Sequence, residues 1–366
     1  MQEKKYGLYI HIPYCASKCG YCDFTSYVGK EDTIENYLSA VVAESRNYSG
    51  AAVDTVYIGG GTPSFLREAS IKRLLEGVSK YITVDKGAEV SIEANPNSLS
   101  LKKAKEYRAA GVNRLSIGLQ TVQDPILKTI GRTHVFADFL CALESASIAG
   151  FTNISADLMY SLPGEQVYEA RESAEKVSKL PLTHISAYAL KLEEGVPMFG
   201  TVLPSDDEDR AMFYAIRDIL EDAGYARYEI SNFAKPGYEC LHNLKYWHAE
   251  EYISLGAAAH SFFKGMRYAN TKDLDEYIKK ITLLGNAVCQ RENAEPVIEA
   301  IMLKTRLREG ILLSELPNSP KFSAALSRLV GYGLCTVRDR LVLTDRGMDL
   351  HNAVVTELLS SLEGSE

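Results

Sequence analysis

Six short runs of apolar and β-branched residues recur along the first half of the chain, each separated from the next by a helical stretch. The runs are YGLYIHI at 6–12, TVYIGG at 55–60, EVSIEA at 89–94, RLSIGLQ at 114–120, NISADLMY at 153–160 and HISAYAL at 184–190. Helices between them end at glycines such as Gly111 and Gly150, residues that tolerate a positive φ. Strands that alternate with helices predict a parallel sheet and therefore an α/β fold.

The predicted strands are polar on one face, and this pattern favours a wide barrel over an open sheet. The polar or small residues at every second position are Ser91 and Glu93, then Ser116, Gly118 and Gln120, then Ser155 and Asp157, then Ser186 and Tyr188. Strands covered on both faces are normally apolar throughout, and a closed eight-stranded barrel fills its interior with branched apolar residues. The pattern predicts an incomplete (β/α)6 barrel with a polar interior. The alternative is that these positions lie near strand ends in solvent.

Size and charge exclude several classes of protein. The 366 residues are enough for two or three domains with cores of their own. The formal net charge of −8 argues against a broad basic surface, so nucleic-acid binding is not expected. The beginning of the sequence has no long apolar segment, and nowhere do eighteen apolar residues run together. We expect a soluble, cytoplasmic protein that meets a membrane only peripherally, if at all.

Changes in sequence pattern predict three units. Residues 1–225 form the partial barrel, 226–290 an aromatic-rich linking region, and 291–366 a small C-terminal domain. In the C-terminal domain, amphipathic helices precede two short strands around Asp339, an order that looks like a winged-helix fold. Acidic side chains outnumber basic ones there, so a structural or partner-contacting role is expected rather than DNA binding.

Three of the seven cysteines, Cys15, Cys19 and Cys22, fall within eight positions just after the first predicted strand. Thiolates this close predict a shared metal centre. Zinc would need a fourth protein ligand, for which His11 and Asp23 are near in sequence. Disulfides would leave one cysteine over and do not suit the cytoplasm. Three thiolates without an evident fourth favour a 4Fe-4S cluster that leaves one iron open, since such clusters usually take four cysteines.

A run of glycines follows the second predicted strand, in the sequence GGGTP at 59–63. Glycines let a backbone approach a ligand closely where any Cβ would clash. With the cysteine spacing, this run resembles the radical S-adenosylmethionine (SAM) superfamily. The resemblance implies that the methionine amine and carboxylate of SAM chelate the open iron. It also implies that electron transfer cleaves the sulfonium to give a 5′-deoxyadenosyl radical.

The resemblance covers roughly residues 6–230 and is most specific to the oxygen-independent coproporphyrinogen III oxidase branch. The matching stretches are LYIHIPYC, GGGTPS, SIEANP, RLSIGLQT, GR at 131–132, DLMYSLPG and HISAYAL. This likeness implies a SAM site lined by Tyr9, Tyr21, Gly60, Gly61, Thr62, Glu93, Gln120, Arg132 and Asp157. The side-chain chemistry agrees, because Glu93 suits an ammonium, Arg132 a carboxylate and Asp157 ribose hydroxyls.

Two activities occur in this branch, oxidative decarboxylation of coproporphyrinogen III and haem chaperoning. The oxidases have a fourth cysteine in a C-x3-C-x2-C-x-C pattern, whereas Cys22 here precedes Asp23 and Phe24. They also carry a long segment before the cluster, whereas fourteen residues precede Cys15 here. The stretch His242-Asn243-Leu244-Lys245-Tyr246-Trp247 is similar to the HNxxYW motif of the haem chaperones of the branch.

This motif has a chemical interpretation of its own. His242 suits haem iron as an axial ligand, Tyr246 and Trp247 suit stacking on the macrocycle, and Lys245 suits a propionate. Cys240 is an alternative iron ligand. The alternative to haem contact is simpler: the only tryptophan anchors a loop, and His242 is hydrogen-bonded in the core.

The sequence therefore predicts a haem chaperone with a 4Fe-4S cluster and a SAM site, which transfers haem to client haemoproteins, respiratory ones among the possible clients. The alternatives are the oxidase and, from another class, a zinc-stabilised binding module without redox chemistry. Catalytic residues are not assigned.

Overall fold

The computed structural model describes residues 4–362 and contains one large sheet and one small one. The strands are β1 (Tyr6–Ile12), β2 (Ala52–Gly60), β3 (Thr83–Ala94), β4 (Arg114–Gln120), β5 (Asn153–Tyr160), β6 (His184–Ala189), β7 (Ala226–Arg227), β8 (Asn232–Ala234), β9 (Tyr252–Leu255), β10 (His260–Phe263), β11 (Met266–Asn270), β12 (Val288–Asn293), β13 (Ile311–Leu312), β14 (Cys335–Val337) and β15 (Arg340–Leu343). The helices are α1 (Ile34–Glu44), α2 (Ser70–Val78), α3 (Leu101–Ala109), α4 (Asp124–Thr129), α5 (Phe136–Ile148), α6 (Val167–Val177), α7 (Asp206–Asp222), α8 (Leu241–Trp247), α9 (Leu274–Leu284), α10 (Pro296–Lys304), α11 (Pro320–Gly331), α12 (Asp345–Asp349) and α13 (His351–Ser360).

The first six strands lie side by side in chain order, and each neighbouring pair is parallel. Helices connect these strands, and the helices before β4 and β5 are followed by the predicted stop glycines. Ser100 and Ser205 cap α3 and α7 with side-chain oxygens, and Gly111 and Gly150 have φ of 95° and 89°. The predicted incomplete (β/α)6 barrel is confirmed.

Alternation along the strands divides the barrel into an apolar layer and a polar interior. The predicted apolar positions are all buried to 1% exposure or less and belong to the main core: Ile92, Leu115, Ile117, Leu119, Ile154 and Leu158. Each such side chain contributes about 2 kcal/mol by its removal from water. The polar positions between them line a cleft, among them Ser116, Asp157 and Ser186. The solvent-exposed alternative for these positions is therefore wrong.

The region predicted as a linker extends the large sheet at both edges. On one side β9 pairs in parallel with β1, and β10, β11 and β12 continue antiparallel. On the other side β8 and β7 pair antiparallel beyond β6. The sheet thus has twelve strands, and the boundary predicted at residue 290 falls inside β12. These strands belong to the barrel layer, because their backbone groups complete its open edges.

The C-terminal residues form a small domain with a core of its own. Helices α10 to α13 pack on a three-stranded antiparallel sheet in the order β13, β15, β14. Ile301, Phe322, Leu341 and Val354 lie at its centre with 1% exposure or less. Helices that precede a hairpin agree with the predicted winged-helix-like architecture.

Candidate functional site

The three predicted metal-ligating cysteines, Cys15, Cys19 and Cys22, line one cleft of about 320 Å³ at the carboxyl ends of the barrel strands. We call it the cluster cleft. Their loop follows β1 and is held by backbone hydrogen bonds, with Cys15 N donating to Tyr27 O over 3.0 Å and Gly20 N to Ile130 O over 3.3 Å. All seven cysteines of the chain lie within the described residues and are free thiols.

The surroundings of the thiols suit a cationic iron-sulfur core. Burial raises the pKa of the Cys22 thiol, and the neighbouring Cys19 and Cys15 raise it further. A bound metal centre reverses this effect, because it binds thiolates and releases their protons. Within residues 4–362 no three His, Cys, Asp or Glu side chains are close enough to hold a single metal ion. A 4Fe-4S core binds each thiolate to a different iron and so spreads its ligands apart.

The glycine run at the end of β2 packs against the protein itself. A Cβ on Gly60, whose φ is 112°, would lie 2.4 Å from the His11 ring. A Cβ on Gly61 would lie 2.8 Å from the carbonyl oxygen of Tyr14. Close approach to a ligand was the expected reason for these glycines. The structure adds another, because the glycines let the cysteine loop lie directly on the end of β2.

Glu93 is the carboxylate at the floor of the cluster cleft. Tyr57 donates its hydroxyl to Glu93 Oε1 over 2.9 Å, and Gly60 N donates to Oε2 over 3.0 Å. Burial raises the pKa of Glu93 to about 7, and the negative charge of Asp157 contributes. A cationic group bound here would be favoured, because it would restore the charged form of the carboxylate.

Arg132 spans the cleft between the cysteine loop and β4. Its Nη1 donates to Cys19 Sγ over 3.6 Å, and its Nη2 donates to Asn95 Oδ1 and Gly118 O, both over 2.9 Å. Its Nε is buried and has no partner among the described residues. Buried donors are nearly always bonded, so this N–H fits an anionic ligand such as a carboxylate.

Two more predicted residues complete the wall formed by β4 and β5. Ser116 donates its hydroxyl to Asp157 Oδ1 over 3.2 Å. Gln120 ends β4 with a φ of 75°, a left-handed backbone that is uncommon outside glycine and asparagine. This conformation turns the chain at the strand end and keeps Gln120 at the cleft, where it accepts from the Tyr188 hydroxyl over 3.4 Å.

The structure brings together nearly all of the site residues implied by the resemblance. Those that line the cluster cleft are Cys15, Cys19, Tyr21, Cys22, Gly60, Gly61, Thr62, Glu93, Gln120, Arg132 and Asp157. Tyr9 and His242 do not line it. The Tyr9 hydroxyl lies 3.1 Å from His11 Nδ1, and its ring stacks on Tyr57.

His242 is fully buried and both of its ring nitrogens have protein partners. Thr55 Oγ1 lies 2.9 Å from Nδ1, and the Tyr246 hydroxyl lies 2.8 Å from Nε2. Burial lowers the pKa of this imidazole to about 3, so it is neutral. The expected role as an axial iron ligand is not supported by this geometry, because neither nitrogen is free. The arrangement matches the alternative interpretation, a hydrogen-bonded core histidine.

The rest of the motif forms α8, which is held against the barrel by Glu89. The carboxylate of Glu89 accepts from Leu241 N over 3.2 Å and from His242 N over 3.1 Å at the start of the helix. Lys245, expected at a propionate, instead pairs with Asp54 and Glu250 over 3.0 and 2.9 Å. Cys240, the alternative ligand, has 0% exposure, and burial raises the pKa of its thiol to about 12.

Tyr246 and Trp247 face a second cleft, of about 440 Å³, which we call the aromatic cleft. It is lined by Tyr9, His11, Asp23, Phe24, Thr25, Tyr246, Trp247, Tyr252, Ala258, His260 and Lys272. The ring centroids of Tyr246 and Tyr252 are 4.5 Å apart in an edge-to-face contact. Phe24 lines both clefts, so the two are neighbours.

Arg114 and Asn95 also belong to the site, although the sequence did not predict them there. Arg114 lines the cluster cleft with 2% exposure, and Asn95 lines it directly after β3. Arg114 shares the face of Ser116 and Gly118, so the period-two pattern was a signal for it. Glu89 likewise shares the face of Ser91 and Glu93, but its role at α8 carries no sequence signal, because that contact spans more than 150 residues of chain.

Comparisons with known proteins agree with this geometry. Residues 9–177 match the family model described as Radical SAM superfamily. The chain is 33% identical to "Heme chaperone HemW" of Lactococcus lactis, with 98% of each chain covered. It is 37% identical to "Heme chaperone HemW" of Bacillus subtilis, with 97% of this chain and 99% of that relative covered. The chain belongs to the HemW-like branch of the radical SAM superfamily.

A solved structure has the same fold as this chain. Coproporphyrinogen III oxidase (HemN) of Escherichia coli superposes with a TM-score of 0.85 at 22% identity, covering 97% of this chain and 90% of that one. At that identity the likeness concerns the fold alone. No helix among residues 4–362 of this HemW-like protein is long and apolar enough to cross a membrane.

Proposed function

We propose that this chain is a cytoplasmic haem chaperone, which binds haem and passes it to client haemoproteins. The observation that carries the proposal is its similarity, over nearly the whole chain, to relatives named "Heme chaperone HemW". The aromatic cleft supports it, because tyrosine, tryptophan and phenylalanine rings suit a flat macrocycle.

The cluster cleft fits a 4Fe-4S cluster and SAM. Cys15, Cys19 and Cys22 would hold the cluster, which together with SAM supplies reductive cleavage of a sulfonium. Glu93 would accept a hydrogen bond from the amino group of SAM, and the free Nε of Arg132 would donate to its carboxylate. The acceptor oxygens of Asp157 suit ribose hydroxyls.

Porphyrinogen oxidation is not favoured. Where the oxidases of the branch carry a fourth cysteine, two positions after the third, this chain has Phe24. Its ring is 64% exposed and lies between the two clefts. An apolar side chain there would suit the wall of a porphyrin cleft, and it offers neither a metal ligand nor an acid group.

The cofactor part of the proposal is tested by anaerobic reconstitution. Wild-type protein is expected to hold about four irons per chain and to show a broad visible band. The triple variant C15A/C19A/C22A is expected to hold none. Cys141→Ser, a change at an exposed thiol, is the matched control and is expected to load normally. Zinc without iron in the wild-type protein would identify a zinc-stabilised module instead.

The haem part is tested by titration with haemin and by transfer to an apo-cytochrome. A chaperone is expected to bind haemin saturably, and its transfer rate should rise with the concentration of the acceptor. A rate independent of the acceptor would mean passive release and would contradict the proposal. Coproporphyrinogen III with SAM and a strong reductant is expected to remain unchanged, and turnover would establish the oxidase in place of the chaperone.

A further inference from the structure

His260 is the one histidine among the described residues whose ring has no hydrogen-bond or ion-pair partner. It is exposed at the start of β10 and lines the aromatic cleft. Within residues 4–362 neither of its ring nitrogens has a hydrogen-bond or ion-pair partner. Each of the other histidines has a ring nitrogen within hydrogen-bond distance of a protein atom: His11, His134, His184, His242, His248 and His351. A free imidazole on a cleft wall is chemically available to a metal.

The turn before His260 is fixed in place. Glu44 accepts from Gly256 N over 2.8 Å, and the Tyr37 hydroxyl accepts from Ala257 N over 3.1 Å. Ala258, which also lines the cleft, has a φ of 58°, a conformation that persists only where the surroundings impose it. The position of His260 is therefore set by buried contacts behind it, as a ligand residue requires.

The remaining walls of the cleft offer stacking surfaces and one free cation. Tyr9, Phe24 and Trp247 supply aromatic surface from three separate segments. The Lys272 ammonium has no ion-pair partner among the described residues. Trp247 Nε1 is buried and likewise has no partner among them, and a buried donor left unbonded is unusual. The cleft volume of about 440 Å³ lies within the ordinary range for ligand pockets.

We propose that haem binds in the aromatic cleft with His260 as its axial iron ligand and Lys272 paired with a propionate. The inference rests on the proposed haem-binding function and assigns its iron ligand to a residue outside the HNxxYW motif. Neutral imidazole is a common protein ligand of haem iron. His242 then has a positioning role, because it fixes Tyr246 at the cleft wall through the 2.8 Å hydrogen bond.

The test compares two porphyrins that differ only in the metal. Ferric haemin is titrated by its Soret band, and metal-free protoporphyrin IX by quenching of Trp247, the only tryptophan of the chain. In His260→Ala, haemin affinity is expected to fall by about tenfold or more, since even indirect ligand support is worth about that much. Added imidazole should restore the wild-type Soret position. Protoporphyrin IX should bind to this variant as it does to wild type.

A matched control is His248→Ala, which removes a partly exposed histidine that pairs with Glu309. It should leave both titrations unchanged. Lys272→Gln should weaken haemin binding but not binding of haemin dimethyl ester, which has no propionate charge.

The outcomes separate this inference from the function on which it rests. If wild-type protein binds neither porphyrin, the haem-binding proposal itself fails. If wild type binds haemin and His260→Ala gives the same spectrum and affinity, the ligand assignment is wrong while haem binding stands. Loss of both porphyrins in His260→Ala would show a packing role and would equally overturn ligation.

Discussion

At the scale of single residues, burial determines the charge of Glu93 and with it the charge of the cluster cleft. The carboxylate has a raised pKa of about 7 because it is desolvated and faces Asp157. The hydrogen bonds from Tyr57 and Gly60 oppose this rise without cancelling it. Near neutral pH the group is therefore half ionised, so a bound cation competes with a proton for it.

This leads to a prediction for SAM binding to the reconstituted protein. Protonation of Glu93 at lower pH removes the carboxylate charge that favours a hydrogen bond from the amino group of SAM, so affinity should fall as the pH drops through 7. The ratio of the wild-type association constant to that of Glu93→Gln is expected to fall about tenfold between about pH 8 and pH 6. Calorimetric titration measures it, and Glu144→Gln, an exposed carboxylate, is the control. A ratio that does not change with pH would show that Glu93 does not bind the amino group of SAM.

Several site residues were predictable from the sequence because a strand shows its face at every second position. Glu93, Gln120 and Asp157 follow that rule, and Arg114 obeys it too although it was not assigned. The surroundings of His242 were not predictable in the same way. Its partner Thr55 lies 187 residues away in the chain, and only the folded sheet brings them together.

At the scale of elements, the turn between β9 and β10 depends on one buried carboxylate of α1. Glu44 accepts hydrogen bonds from Gly256 N, from Asn270 Nδ2 and from the Tyr277 hydroxyl. Burial nevertheless raises its pKa to about 7. The turn is thus held by a group whose ionised form is costly in the folded state.

The pH dependence of stability should show this cost. The pKa of Glu44 is higher in the folded protein than in the unfolded chain. Its contribution to the free energy of unfolding is therefore present at low pH and is lost as the pH rises through 7. When the pH rises from about 5 to about 8, the free energy of unfolding should fall by about 2 kcal/mol more in the wild type than in Glu44→Gln. Urea unfolding measures the difference, with Glu35→Gln, an exposed carboxylate on the same helix, as control. Equal slopes for wild type and Glu44→Gln would show that the carboxylate is not strained by burial.

The barrel strands were predictable as elements, and the strands of the edges were not. The predicted runs at 6–12, 114–120 and 153–160 coincide with β1, β4 and β5. Strands β9 to β12 are short, and β12 is largely exposed, so they carry little of the apolar alternation that marks a strand. β9 pairs with the open edge of the barrel at β1, and β10 to β12 continue the sheet from there.

At the scale of the whole molecule, the C-terminal domain supports the helix that carries the motif. Arg306, just beyond α10, donates to Glu229 Oε2 over 2.9 Å, and its guanidinium lies 4.3 Å from the Trp247 ring centroid. Glu229 has 0% exposure. The C-terminal domain therefore packs against Trp247, a residue that itself lines the aromatic cleft.

Arg306→Ala is expected to destabilise the protein by about 3 kcal/mol, because it leaves part of a buried carboxylate unpaired. The fluorescence of Trp247 should shift to the red as its ring loses cover. Arg308→Ala is the matched control, since Arg308 pairs with Asp345 at the surface and its loss should cost less than about 1 kcal/mol. An equal loss of unfolding free energy in the two variants would mean that the domains are not joined through Glu229 and Trp247.

Phe24 is an exposed side chain shared by the walls of both clefts. If an occupant of one cleft selects a rotamer of Phe24, the occupant of the other cleft meets that rotamer, and thermodynamic linkage makes the influence equal in both directions. Cargo loading and nucleoside loading would therefore sense each other at this ring, without any movement of the barrel.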